Sequence, residues 1–220
     1  MRLYDRYRPA ALDEVLGQDR AVKQIRLMLA RGGVGGQAIW LSGASGTGKT
    51  SLARLIADTV ADSFSTTEYD SADELGADEV RSISDQMQYH ALGKGGRAWV
   101  VNEAHGLRAQ SVRSLLGILE RLPAYCVVIF TTTREGEEKL FDGLDDASPL
   151  LSRCKTIRLT NQGLAGPFAA RCMEIARREG LDGGRAVSDF VKLAQKCKNN
   201  FRAMLQELDS GCFMAAAVAA

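Results

Sequence analysis

The sequence predicts an α/β protein: a parallel sheet sandwiched by helices, followed by a small three-helix domain. Three observations carry this expectation. Short apolar runs, "AIWLS" (38–42), "AWVVN" (98–102) and "YCVVIFT" (125–131), look like strands buried on both faces. They alternate with amphipathic stretches, the pattern of crossover units that cover both sides of a parallel sheet. After "KTIRLT" (155–160) the strands stop and three helical segments follow.

Each element has its own warrant. "DRAVKQIRLMLAR" (19–31) sets Val22, Ile25, Leu27 and Leu29 near helical spacing, and "GGVGG" (32–36) ends the run. "AIWLS" enters a glycine-rich turn, and a helix is expected from about Lys49 to Ala61. "ELGADEVRSISDQMQYHA" (74–91) reads as a helix after a loop, and "AQSVRSLLGILERL" (109–122) as the helix between the next two strands. "GPFAARCMEIARREG" (166–180), "AVSDFVKLAQKC" (186–197) and "NFRAMLQELDSG" (200–211) form the closing trio. A boundary near Thr160–Gly163 gives domains of 1–160 and 161–220.

Bulk properties narrow the function classes. At 220 residues, 45% hydrophobic and 25% charged, the chain can bury a real core. A net charge of +1 means that any nucleic-acid contact must come from a local patch. Five widely spaced cysteines without a CxxC pair suit a reducing cytoplasm. The start "MRLYDRYRPA" has no secretory apolar core, and the tail "CFMAAAVAA" (212–220) is too short to span a bilayer. No membrane association is expected.

The strongest motif is "GASGTGKT", comprising Gly43, Ala44, Ser45, Gly46, Thr47, Gly48, Lys49 and Thr50. It fits the phosphate-binding pattern G-x-x-x-x-G-K-[ST] between a strand and a helix. Glycines let backbone N–H groups converge on phosphate oxygens, and the helix N-terminus adds positive potential. Lys49 would reach the outer phosphates of ATP and the Thr50 hydroxyl would ligate Mg²⁺. The strand "AWVVN" then ends in Asn102-Glu103, where such proteins usually carry an aspartate first. Glu103 can polarise an attacking water. Asn102 keeps a carbonyl oxygen for the metal but lacks the charge. A hydrogen bond to a charged group is worth on the order of 1.5–3 kcal/mol, so Mg²⁺ binding is expected to weaken about tenfold or more.

These motifs occur in an order that resembles the clamp-loader ATPases of the AAA+ class, especially small subunits of replication factor C. More distantly, the chain is similar to the gamma/tau subunit of bacterial DNA polymerase III. "YDRYRPAALDEVLGQD" (4–19) is similar to that family's N-terminal signature, "SPLLSRC" (148–154) to its Ser-Arg-Cys motif, and "NNFRAML" (199–205) to its sensor-2 helix. The resemblance spans essentially residues 4–210 and implies an AAA+ P-loop NTPase fold with a three-helix lid. It makes Arg8, Pro9, Val15 and Gln18 base-pocket residues, and Arg202 a sensor on the bound nucleotide. Thr131 becomes the polar sensor near the γ-phosphate, with Thr132 a rival. Arg153 becomes a finger acting on a neighbouring subunit's ATP. The family pattern usually has glycine where Asn199 stands.

Further implications of the resemblance are a sliding clamp, primer–template DNA and other AAA+ subunits in a ring or spiral as partners. DNA would be touched at its backbone by Arg81, and by Arg108 and Arg113 near the helix after Glu103. The setting would be the cytoplasm, or the nucleoid or nucleus. The bacterial relatives' four-cysteine zinc module is not expected, since no cysteine lies between Thr50 and Asn102. The chain stops where the family's helical collar domain would begin. Two functions stay open: a clamp-loader subunit with slow ATP hydrolysis, and a nucleotide-holding scaffold that supplies Arg153 to a neighbour.

Overall fold

The computed structural model describes residues 1–133 and 148–214, and these form two compact units. The alanine-rich tail from residue 215 lies outside the described residues. The larger unit comprises residues 20–43 and 49–159, the smaller one residues 1–19, 44–48 and 160–220.

The larger unit is built on a five-stranded sheet with order β2-β3-β4-β1-β5. Its strands are β1 (Gln37–Ser42), β2 (Thr66–Tyr69), β3 (Arg97–Val101), β4 (Cys126–Thr132) and β5 (Cys154–Arg158). All pairs are parallel. The three central strands are the ones whose sequences run apolar without a break, because both their faces are covered. One face carries Trp40, Trp99, Val101, Val128 and Phe130. It packs on Val80 and Ile83 of α4 (Ala77–Gln86) and on Val112, Leu115 and Leu119 of α5 (Ala109–Leu119). The other face turns Ile39, Val100 and Ile129 toward α3 (Lys49–Ala57), whose Leu52 and Ile56 are fully buried. The helix α2 (Asp19–Ala30) precedes β1, and α6 (Ser148–Ser152) precedes β5.

Several boundaries differ from the sequence expectation. β2 was not foreseen, since "TTEY" is short and polar and has no alternating or apolar signature. Helix α3 stops at Ala57, where Thr59 N–H and its hydroxyl both turn back to the Ile56 carbonyl. Helix α4 starts only at Ala77, because Ser71 and Glu74 close a separate capped turn before it. The last strand ends at Arg158 rather than residue 160, and α6 is an added turn of helix.

The smaller unit holds α1 (Leu3–Arg6), α7 (Ala165–Glu179), α8 (Val187–Lys196) and α9 (Phe201–Asp209) around their own core. Phe168, Cys172 and Ile175 of α7 meet Phe190 of α8, Met204 and Leu208 of α9, and Leu3. Gly180 ends α7 in the left-handed conformation (φ 68°), with Leu181 N–H bonded to the Ala176 carbonyl at 2.7 Å.

Each unit carries one fully buried thiol. Burial pushes Cys126 in the larger unit up to about 11 and Cys172 in the smaller up to about 12, from an ordinary value near 9. Because folding favours the protonated thiol, this stabilisation is complete below the unfolded value. It is lost as pH rises through the folded values. Mass spectrometry after brief iodoacetamide treatment at about pH 8 should find both cysteines unmodified in the folded chain and alkylated in urea. Alkylation of either in the folded state would contradict its placement.

Candidate functional site

Strands β3, β4 and β1 lie side by side, so the residues that follow their C-terminal ends converge. Thr50 stands in the first turn of α3, Asn102 just past β3, and Thr131 near the end of β4. The Asn102 side chain joins them. Its Oδ1 accepts hydrogen bonds from Thr50 Oγ1 and Thr131 Oγ1, each at 3.0 Å. Its Nδ2 donates to Glu68 Oε1 at 2.9 Å and to the Tyr69 carbonyl at 3.2 Å. A carboxylate and a carbonyl can only accept, so the amide nitrogen must face β2 and the oxygen must face the threonines. Asn102 is only 6% exposed, and all four of its hydrogen-bonding positions are used. The other Glu68 oxygen, Oε2, accepts from Arg54 Nε of α3 at 2.6 Å.

Lys49 is also buried, and its ammonium group donates to the Gly43 carbonyl at 2.7 Å. Glu103 holds a left-handed backbone (φ 49°, ψ 46°), rare for a residue of its bulk and concentrated at functional sites. Its Oε2 accepts from Thr133 Oγ1 at 3.3 Å and lies 3.4 Å from His105 Nδ1. The same His105 nitrogen is 3.3 Å from Thr132 Oγ1. No group of three or more His, Cys, Asp or Glu among the described residues could hold a metal by itself. The donor set suits Mg²⁺ instead, which takes one or two hard protein oxygens and completes its shell with water and phosphate. Thr50 Oγ1, which keeps its lone pairs, is such an oxygen; Asn102 Oδ1 orients it by accepting its proton, with the Glu68 carboxylate behind.

The remaining candidates of this unit lie apart from that network. Arg153 Nε bonds Glu120 Oε1 at 3.0 Å, its Nη2 reaches the same oxygen, and its Nη1 bonds the Pro149 carbonyl at 2.7 Å. Arg81 on α4, Arg108 at the N-cap of α5 and Arg113 within α5 are exposed and form no ion pair among the described residues. Helices α4 and α5 pack against each other.

In the smaller unit, the loop segment Ala44–Gly48 takes positive φ at Gly46 (75°) and Gly48 (99°). Gly46 also admits no side chain: a Cβ there would come within 2.0 Å of Asn200 Oδ1. Asn200 caps α9 by accepting from Ala203 N–H at 3.0 Å, and Phe201 N–H bonds the Gly46 carbonyl at 3.3 Å. Gln18 is 2% exposed and pairs with Thr160 twice at 2.9 Å, its Nε2 donating to the carbonyl and its Oε1 accepting from the N–H. Val15 is buried and Pro9 half-buried. Arg8 Nη2 bonds Asp5 at 2.9 Å, while its buried Nη1 has no partner among the described residues. The Arg202 guanidinium lies 4.5 Å from the Tyr4 ring centroid, and its hydrogen bond lowers the Tyr4 phenol pKa. Asn199 has φ 56°, a conformation that glycine takes freely and asparagine tolerates better than most residues.

Sequence reasoning missed Glu68, Arg54, Thr133 and His105. The pairing of β2 with β3 sets Tyr69 opposite Val101 and so aims Glu68 at Asn102, a register invisible in one sequence. His105 could have been suspected from its place two residues after Glu103.

A model of the ATPase family associated with various cellular activities (AAA) matches residues 39–161, more than half of the chain. The DNA polymerase III subunit gamma/tau of Mycobacterium bovis is 30% identical over 157 residues, covering 60% of this chain and 27% of that protein. DNA polymerase III subunit tau of Bacillus subtilis is 26% identical over 189 residues (74% and 32%). The gamma/tau subunit of Mycoplasma genitalium is 27% identical over 228 residues (94% and 36%). This chain thus spans about a third of the length of these relatives. Among solved structures, the Thermotoga maritima RuvB Holliday junction branch migration motor superposes with a TM-score of 0.70 at 22% identity. That match covers 97% of this chain and 68% of the other, and at such identity it speaks for the fold alone.

Replacing Asn102 by alanine would leave Glu68 Oε1 and two threonine hydroxyls short of a partner, while the Tyr69 carbonyl keeps the backbone N–H of residue 102. Urea unfolding without nucleotide should show Asn102→Ala destabilised by about 1–3 kcal/mol. A loss below about 0.5 kcal/mol, typical of an exposed position, would contradict the hub.

Proposed function

We propose that this chain, which belongs to the AAA family of ATPases, binds ATP with Mg²⁺ on the loop Gly43–Thr50 and hydrolyses it slowly as a clamp-loader subunit. The observation that carries this reading is the convergence of Lys49, Thr50, Asn102 and Thr131 at three adjacent strand ends. In the proposed site, backbone N–H groups of the loop and the Lys49 ammonium hold the phosphates. Thr50 and Asn102 orient the metal. Glu103 aligns and polarises the attacking water, and Thr131 touches the γ-phosphate side through its link to Asn102. Arg8, Pro9, Val15 and Gln18 are assigned to the base, with Arg8 Nη1, unpaired among the described residues, as a donor, and Arg202 to sensing the nucleotide.

The clamp, the DNA and the neighbouring subunits rest on similarity to gamma/tau subunits and on the sequence motifs. Arg153 is assigned as the finger that acts on a neighbour's ATP. In assembly it would leave Glu120, a half-exposed ion pair of the kind that contributes little. Arg81, Arg108 and Arg113, exposed on α4 and α5, are assigned to the DNA backbone on the strength of the sequence resemblance. A second reading, a loaded scaffold without turnover, is favoured by the uncharged Asn102. Mixed assemblies separate the two: Arg153→Ala should cripple a partner's turnover under both, while only the first gives turnover in this chain's own site.

Lys49→Ala should reduce binding of a fluorescent ATP analogue by about a hundredfold or more, as expected for losing the charge that holds the outer phosphates. Unchanged affinity would remove the phosphate-loop assignment. Primed-DNA affinity should fall steeply with added salt, and Arg81→Ala should lower the salt slope by about one. A salt-independent affinity would exclude backbone contact.

A further inference from the structure

We propose that Glu68 is a positioning residue of the Mg²⁺ site, supplying through Asn102 the negative charge that the asparagine itself lacks. This rests on the nucleotide reading above and adds to it a residue outside the phosphate loop and the Asn102-Glu103 pair.

The geometry is specific. Glu68 is mostly buried, its side chain 19% exposed, and its two oxygens have different jobs. Oε2 is held by Arg54 at 2.6 Å, which fixes the plane of the carboxylate and leaves Oε1 for Asn102 Nδ2 at 2.9 Å. The backbone fixes the partner as well, because Asn102 N–H donates to the Tyr69 carbonyl at 3.0 Å. Donation from the amide nitrogen to a carboxylate draws electron density toward Oδ1, so the oxygen that faces Thr50 becomes a stronger acceptor. Glutamate plus asparagine also gives this corner the same formal charge as a neutral residue plus aspartate.

The arrangement explains why residue 102 is not an acid. A carboxylate in place of the Asn102 amide would set one oxygen 2.9 Å from Glu68 Oε1 and 3.2 Å from the Tyr69 carbonyl, with no proton between them. Two carboxylates in contact oppose each other's charge. Asn102 and Glu68 are therefore a matched pair. In this chain, installing the usual aspartate alone should harm the metal site rather than repair it, which reverses the expectation drawn from the motif.

The test is a double-mutant cycle on Glu68→Gln and Asn102→Asp, read as the affinity for a fluorescent ATP analogue in Mg²⁺ divided by that in EDTA. Glu68→Gln can keep the hydrogen bond to Asn102, turning its amide oxygen inward, while losing the charge. A purely structural role would leave the ratio in place. The proposal expects Glu68→Gln to lower it about tenfold and Asn102→Asp to lower it at least as far. The double variant should return the ratio to within about threefold of native, because the glutamine amide then donates to the aspartate. A Glu68→Gln ratio equal to native, or two losses that simply add, would overturn the proposal while EDTA binding keeps the nucleotide reading intact. A native chain that binds the analogue in neither condition would overturn both. Melting temperatures of all four proteins in EDTA separate a lost site from a lost fold.

Discussion

The Asn102 amide is the contact on which the proposed catalytic corner depends. It ties β2 to β3 through Glu68 and Tyr69, β3 to β4 through Thr131, and β3 to the start of α3 through Thr50. A side chain with two donors and two acceptors suits this place because the surrounding groups are two obligate acceptors and two hydroxyls. An aspartate has no protons for the β2 side. The amide's two donors and two acceptor positions are all engaged, and Glu68 takes one of the donors.

Around that hub the site combines order with local strain. Glu103 sits in a left-handed conformation, and its carboxylate is steadied by Thr133 and lies beside His105. The Lys49 ammonium donates to the Gly43 carbonyl, and a charged phosphate oxygen is a stronger acceptor than that neutral one. The left-handed backbone of Glu103 is the kind of local strain that persists where the surrounding structure over-determines it, and such strain clusters at functional sites.

Most of the architecture was legible in the sequence because both faces of the central strands are covered. Continuous apolar runs such as Val127–Phe130 can be little else once bounded by turns and helices, and "GASGTGKT" fixed where the loop lies. What stayed hidden depended on pairing. The strand "TTEY" carries no periodic signal, so Glu68 could not be brought to Asn102 without the sheet register. Asn199 shows the reverse case: it stands where the resembled pattern usually has glycine, and its φ of 56° is one that glycine takes freely and asparagine tolerates. The Glu120 partner of Arg153 and the Thr160 partner of Gln18, by contrast, lie far away in the chain, and no local pattern announces them.

Steady-state phosphate release in Mg²⁺ decides whether this corner turns over ATP. The measurement needs the native chain and Glu103→Gln, each with and without primed DNA. The native chain should release phosphate slowly, and faster with DNA, with a loss of about a hundredfold in Glu103→Gln while the nucleotide still binds. Binding without any release, in both proteins and with DNA present, would contradict it and leave the chain as a nucleotide-loaded scaffold.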